Sequence, residues 1–150
     1  MDPYELFKED IKKVAEEFKK IPKNDVVRVV SHLDADGISA ASLMVKLLNN
    51  DNRKYSISII QQIKKEVLEE LAREPYSYFV FTDLGSGVIT ELEELFKGKK
   101  VFILDHHEPE KTEIKSSNVF FVNPHKFGID GGNEVSGAGV VYLFASTLDK

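Results

Sequence analysis

The chain has 150 residues, 42% of them hydrophobic and 30% charged, with ten Phe and five Tyr; this composition excludes a disordered tail, a collagen and a low-complexity linker, and a chain of this length buries roughly 68–70% of the surface its unfolded form exposes. With no Cys, a disulfide scaffold, a thiolate zinc site and a cysteine nucleophile are excluded, so any metal is held by Asp, Glu and His. The net charge of −5, from 20 Lys and Arg against 25 Asp and Glu, lacks the basic excess usual in nucleic-acid binders, and no apolar run approaches the roughly 20 residues of a membrane span, so a cytoplasmic protein is expected.

Phe7, Ile11, Val14, Phe18 and Ile21 recur at helical spacing with Lys and Glu between them, predicting a first amphipathic helix. Residues 26–30 predict a strand that is apolar except for Arg28. A helix over 38–48, a strand over 55–60 and a helix over 64–73, stopped by Pro75, come next. Residues 77–82 predict the third strand, and 88–96 a helix that Gly98 ends. Residues 101–104 and 119–122 predict the last strands, and a helix capped by Ser136 starts at Gly137. Strands that alternate with helices and read as continuous apolar runs indicate a sheet covered on both faces. The expected fold is an open, doubly wound, mostly parallel five-stranded α/β sheet with helices on both faces.

In such sheets ligands bind outside the carboxyl ends of the strands, near the point where the strand order reverses. Unusual polar residues follow a strand three times: Ser31-His32-Leu33-Asp34-Ala35-Asp36-Gly37, then Thr82-Asp83-Leu84-Gly85, then Asp105-His106-His107-Glu108. All three groups are expected at one edge of the sheet, facing one crevice. Four carboxylates (Asp34, Asp36, Asp83, Asp105) and three imidazoles (His32, His106, His107) would crowd it. Like charges that close raise one another's pKa values, and a pair of divalent ions removes the cost. Oxygen and imidazole donors without thiolate favour Mn²⁺ over Mg²⁺ or Zn²⁺. Taken singly, each group has a plainer reading: Asp36 before Gly37 as an Asx-turn or helix cap, the His pair as surface, Asp83-Leu84-Gly85 as an ordinary turn.

Residues 128–137, Gly-Ile-Asp-Gly-Gly-Asn-Glu-Val-Ser-Gly, carry two readings. Backbone N–H groups of Gly131 and Gly132 at a glycine-rich helix start can cradle a phosphate, or the pair is simply a loop. Gly137 and Gly139 read as positions of close helix packing. His125 and Lys126 are equally readable as contacts to a nucleotide backbone and as solvated loop residues.

The ordered set His32-Leu33-Asp34-Ala35-Asp36-Gly37, Thr82-Asp83, Asp105-His106-His107, Asn123-Pro124 and Ser136-Gly137-Ala138-Gly139-Val140 resembles the DHH phosphoesterases over residues 26–148. Within them it is most similar to the archaeal RecJ-like nucleases, including the GINS-associated nuclease; bacterial RecJ exonucleases usually carry Asp at the position of His32. The resemblance implies two metal ions, with His32, Asp34 and Asp83 holding the first, and Asp36, Asp83 and His106 the second. It implies that His107 contacts the phosphate and that Asp105 orients its neighbour. Asp83, Asp105 and His107 are the catalytic candidates, and His107, His125, Gly131 and Gly132 the substrate-binding ones. The family's fourth motif, a Gly-Asp or Ala-Asp pair in a later strand, and its C-terminal substrate-binding domain have no match in residues 1–150. The chain is therefore expected to be the N-terminal part of a DHH catalytic domain from a larger nuclease.

The function expected on this resemblance is metal-dependent hydrolysis of phosphodiesters, as a Mn²⁺-dependent exonuclease of single-stranded DNA or RNA in DNA replication or repair. A second expectation is a phosphoesterase for a small substrate: an oligonucleotide, a cyclic dinucleotide, pAp or pyrophosphate. A third, from another class, is a Cdc45-like replication scaffold that binds GINS.

Overall fold

The computed structural model describes residues 1–148. Strands β1 (Val27–His32), β2 (Tyr55–Ile60), β3 (Tyr78–Thr82), β4 (Lys100–Leu104) and β5 (Val119–Val122) form one sheet in the order β2-β1-β3-β4-β5. Every neighbouring pair is parallel. Helices α1 (Pro3–Lys19), α2 (Ala35–Asn50), α3 (Lys65–Arg73), α4 (Ile89–Leu95) and α5 (Gly137–Leu148) lie on the two faces. The expected doubly wound α/β sheet is thus found.

Side chains alternate across each strand, so the apolar runs feed two cores at once. Val27, Val29, Val80, Phe102 and Leu104 pack under α1, α2 and α5. Val30, Phe79, Phe81, Val101 and Ile103 pack under α3 and α4. Arg28, the charged residue of β1, is buried because its Nε donates to Glu74 Oε1 at 2.8 Å and its Nη2 to Ser58 Oγ at 2.6 Å.

Two elements differ from expectation. Strand β1 runs two residues further, through Ser31 and His32, because the Ser31 hydroxyl sits within hydrogen-bonding distance of the Gly37 and Thr82 carbonyls and so loses nothing by burial. The segment expected as a helix over 88–96 opens with a 3₁₀ turn, Ser86–Val88, before α4. Gly85, at φ +113°, breaks the chain direction there, and the Ser86 N–H donates to Asp105 instead of a helical carbonyl. The β4–β5 crossover has no helix. It is pinned by Glu93 of α4, which accepts the N–H groups of Lys115 and Ser116, each at 2.9 Å.

Register decides where the polar residues emerge. Ser31 pairs with Thr82, and Thr82 with Leu104. Ladder bonds continue one residue past the strands, from Asp83 N–H to the Leu104 carbonyl and from Asp105 N–H to the Val122 carbonyl. Asp83 and Asp105 therefore leave the sheet side by side. The chain moves from β1 out to β2 and then back to β3 on the other side of β1, which opens the crevice between β1 and β3. Among the described residues no helix is long and apolar enough to cross a membrane.

Candidate metal centre

At the end of β1, Asp34 caps α2, its Oδ1 accepting the Gly37 N–H at 2.7 Å. The cap expected at Asp36 is made by Asp34 instead, whose other oxygen, Oδ2, lies 2.9 Å from His32 Nδ1. The Gly37 N–H, opposed by burial and helped by His32, holds the Asp34 carboxyl below its ordinary range. His32 Nε2 lies 3.0 Å from the Gln61 carbonyl. In a neutral ring a carbonyl requires the proton on Nε2, which leaves the Nδ1 lone pair facing Asp34.

Asp83 follows β3 in a left-handed conformation, φ +59°, a strained backbone for a residue other than glycine. It is 2% exposed, and neither carboxylate oxygen has a hydrogen-bond partner. His106 Nε2 is 3.1 Å from Asp83 Oδ1 and 3.2 Å from Asp36 Oδ2, in directions that make no hydrogen bond to Asp83. Burial pushes the Asp83 carboxyl up; His106 opposes the rise, and the charges of Asp36 and Asp105 add to it. The neighbouring Asp83 carboxylate in turn holds His106 up to about 9, against burial. His106 repeats the arrangement of His32: its Nδ1 donates to the Gly131 carbonyl at 2.7 Å, and Nε2 is turned toward carboxylates.

The resemblance has Asp105 orient its neighbour His106. Its carboxylate is instead bonded to the ring of His107, Nδ1 to Oδ1 at 2.7 Å. It also accepts the His106 N–H at 2.8 Å and the Ser86 N–H at 3.1 Å. Burial works against its charge, yet the bonds from His107 and the surrounding N–H groups keep its carboxyl below the ordinary range. Asp105 in return raises His107. Donor atoms of Asp83, Asp105, His106 and His107 all lie within 4.8 Å of one another, as do those of His32, Asp34 and Asp83. Asp83 is common to both groups.

The other expected site residues divide. Asp36 reaches His106, but its two oxygens accept the Gly137 and Ala138 N–H groups at the start of α5, each at 2.8 Å. The Gly131 N–H is directed to His125 Nε2 at 3.2 Å and the Gly132 N–H to Asp130 Oδ1 at 2.8 Å, so both N–H groups have acceptors within the chain. Lys126 is committed elsewhere, its Nζ donating to Asp10 on α1 and to the Phe121 carbonyl, each at 2.8 Å. Sequence reasoning gave no role to three residues, although it counted Asn123 among the motif residues. The Gln61 carbonyl holds His32, and nothing in a side-chain pattern signals a main-chain acceptor. Lys64 lines the same cleft and reads as a solvent-facing helix residue. Asn123, fully buried, donates to the His107 carbonyl at 2.8 Å and to Ser86 Oγ at 3.0 Å; its place in an Asn-Pro pair after a strand was the available signal.

A cleft of about 480 Å³ opens over these groups, and His32, Gln61, Lys64, Asp83, Asp105 and His107 are among its lining residues. A divalent cation fits the donor set on two grounds. An ionised carboxylate buried without a donor is among the costliest groups a protein can hold, and Asp83 is one. Two donors of one octahedral ion at 2.0–2.1 Å lie roughly 3 Å apart, which matches the separations of 2.9, 3.1 and 3.2 Å here.

The profile of the DHH family, N-terminal domain, matches residues 26–150. The uncharacterized protein MJ0831 of Methanocaldococcus jannaschii is 36% identical over 143 residues, which are 91% of this chain and 32% of that protein. The chain thus spans about a third of the length of that relative. RecJ from Thermus thermophilus, solved in complex with Mn²⁺, superposes with a TM-score of 0.75 at 26% identity, over 93% of this chain and 20% of its own. CDC45 from Entamoeba histolytica superposes with a TM-score of 0.66 at 16% identity, over 99% of this chain and 30% of its own, a likeness of fold alone.

Proposed function

The chain belongs to the DHH family, and on that premise we propose that it is the metal-binding part of a phosphodiesterase that releases nucleotides from single-stranded DNA or RNA. One observation carries the reading. Asp83, buried and unpartnered, lies among His32, Asp34 and His106, whose ring nitrogens and oxygens are turned toward it. The similarity to a RecJ solved with Mn²⁺ supports Mn²⁺ as the cation, with Mg²⁺ as its substitute.

In this reading His32, Asp34 and Asp83 would hold one ion and Asp36, Asp83 and His106 the other. Bound cations of this kind lower the pKa of a water and neutralise charge on a phosphodiester. The chain's own groups do the rest. Asp105 fixes the ring of His107 through Nδ1 and raises its pKa, so Nε2 is the ring atom left to face a phosphoryl oxygen in the cleft. Asn123 holds the carbonyl of His107 and with it the position of that ring. Lys64, which lines the cleft, supplies a positive charge to the next phosphate along the strand. Gln61, by holding His32, keeps the Nδ1 lone pair aimed inward, as metal-bound imidazoles require of their outer partner.

The test is release of mononucleotides from end-labelled single-stranded DNA and RNA in Mn²⁺, with Asp83→Asn as the control. Release by the wild type and none by the variant is expected. Equal release by both refutes the site, and no release by the complete protein refutes the activity.

A further inference from the structure

We infer that residues 128–137 and the first turn of α5 position one half of the metal centre, and that this half alone depends on them. The inference rests on the two-ion reading above and concerns how unequally the two halves are supported.

The outer partners of the His106 ring and of the Asp36 carboxylate come from this segment. The carbonyl of Gly131 accepts the Nδ1–H of His106 at 2.7 Å, and that of Val135 lies 3.1 Å from the same nitrogen. The Gly137 and Ala138 N–H groups hold the two oxygens of Asp36 at 2.8 Å each. Both contacts depend on glycine. A Cβ on Gly131 would lie 1.9 Å from the His106 carbonyl oxygen, and one on Gly137 would lie 2.2 Å from Asp83 Oδ1. No side chain fits at either distance, so the main chain can approach the centre only where the side chain is absent. The glycines expected to cradle a phosphate or to pack a helix therefore bring carbonyl and N–H groups up to metal-facing side chains.

The segment is held by side chains that do not touch the centre. Asp130 accepts the Gly132 N–H at 2.8 Å and the Asn133 Nδ2–H at 2.6 Å. Glu134 accepts the Asp130 N–H at 2.8 Å and the hydroxyl of Tyr4, which ties the segment to α1. The His32–Asp34 half has different supports: the Gln61 carbonyl after β2 and the Gly37 N–H of α2. The two halves share only Asp83, so displacement of the segment unsettles His106 and Asp36 and leaves His32 and Asp34 in place. Gly131, Gly137 and Asp130 are in this sense positioning residues for the second ion.

The experiment is Mn²⁺ titration of the 150-residue chain by calorimetry, with electron paramagnetic resonance to distinguish a coupled ion pair from an isolated ion. Wild type is expected to bind two ions and show the coupled signal. Gly131→Ala is expected to keep one ion at unchanged affinity, to bind the second on the order of 10–100-fold more weakly, as loss of a ligand's outer support does, and to show an isolated Mn²⁺ spectrum, whereas Gly137→Ala, whose methyl would meet the shared Asp83, is expected to weaken both ions. Asp130→Ala adds no atom near the centre and is expected to act in the same direction; it decides the matter if the glycine variants do not fold. Gly87→Ala, whose added methyl meets nothing within 4 Å, is the control and is expected to bind both ions normally. Two ions at wild-type affinity in folded Gly131→Ala and Asp130→Ala overturn the inference, as does a parallel loss of both ions in either of them. Failure of the wild type to bind Mn²⁺ strikes the two-ion reading instead. Proton NMR of the metal-free chain then decides the positioning role: a protected His106 Nδ1–H signal in wild type that vanishes in Gly131→Ala supports it, and a signal unchanged by the substitution overturns it.

Discussion

Replacement of Asp83 by Asn removes one negative charge while keeping the shape of the side chain, and it takes a donor from both halves of the centre at once. At free Mn²⁺ one hundred times its dissociation constant, an ion that binds only the native chain stabilises it by about 2.7 kcal/mol. For about 150 residues that is a rise in melting temperature of roughly 5–11 °C. A hundred-fold loss of affinity, the upper end of what disturbing one ligand's support does, leaves about 0.4 kcal/mol at the same concentration. Asp83→Asn is therefore expected to respond to Mn²⁺ by no more than roughly 1–2 °C. His32→Ala touches only the His32–Asp34 half and should keep an intermediate response. The assay is thermal melting by circular dichroism with and without Mn²⁺, after a far-UV spectrum has shown each variant folded. The reasoning fails if Asp83→Asn responds like wild type, or if His32→Ala loses as much as Asp83→Asn, because Asp83 would then not be the shared ligand.

His106→Ala should lower Mn²⁺ content, whereas His107→Ala should leave the content near normal and slow turnover, since a ligand and a phosphate contact fail differently; metal analysis beside single-turnover kinetics separates them. Glu93 is ionised down to about pH 2: burial opposes its charge, but Lys111 at 2.5 Å and the N–H groups of Ser116 and Lys115 overcome it. A lowered folded pKa contributes stability that is complete above the ordinary value near 4.5 and is lost as pH falls from there to about 2. Glu93→Gln should accordingly cost about 2 kcal/mol at pH 7, the full shift being discounted for the solvent at its rim, with the gap to wild type closing below pH 4 in urea melts. Arg53→Met should cost roughly 2 kcal/mol in the same assay, because Arg53 Nη1 donates to the Ile21 carbonyl at 2.7 Å and, once it is gone, the end of α1 has an unpaired buried acceptor.

Most of the sheet was legible in the sequence because β3, β4 and β5 are largely buried and read as apolar runs. Residues 55–60 and 119–122 match β2 and β5 residue for residue. What escaped was set by hydrogen bonds at the strand ends. Ser31 belongs to β1 only because two carbonyls face its hydroxyl, and Ser86 opens a 3₁₀ turn only because Asp105 takes its N–H. The candidate site was legible as a set, since parallel strands in register must bring Asp34, Asp83 and Asp105 to one edge. The partner of Asp105 was not. Two adjacent imidazoles compete for that carboxylate, and only the turn after β4 decides that His107 bonds to it while His106 takes the carbonyl of Gly131. That carbonyl is 25 residues further along the chain and carries no side chain that could announce it.

The acidic balance of the chain looks unfavourable for a polyanionic substrate until the position of the charges is considered. Asp34, Asp36, Asp83 and Asp105 are four of its 25 acidic residues, and all four line or adjoin the β1–β3 crevice. Two divalent ions held there would bring the formal charge from −5 to −1, and the change would be local, since a bound cation is the largest charge in its surroundings. The ions would also neutralise the four carboxylates and so remove their barrier to phosphate. Lys64 and His107, whose pKa Asp105 raises, line the same cleft and favour the sign a phosphate requires. Affinity for a phosphodiester should therefore depend on the cation far more than on net charge, which is why composition alone is a poor guide to the partner of this chain.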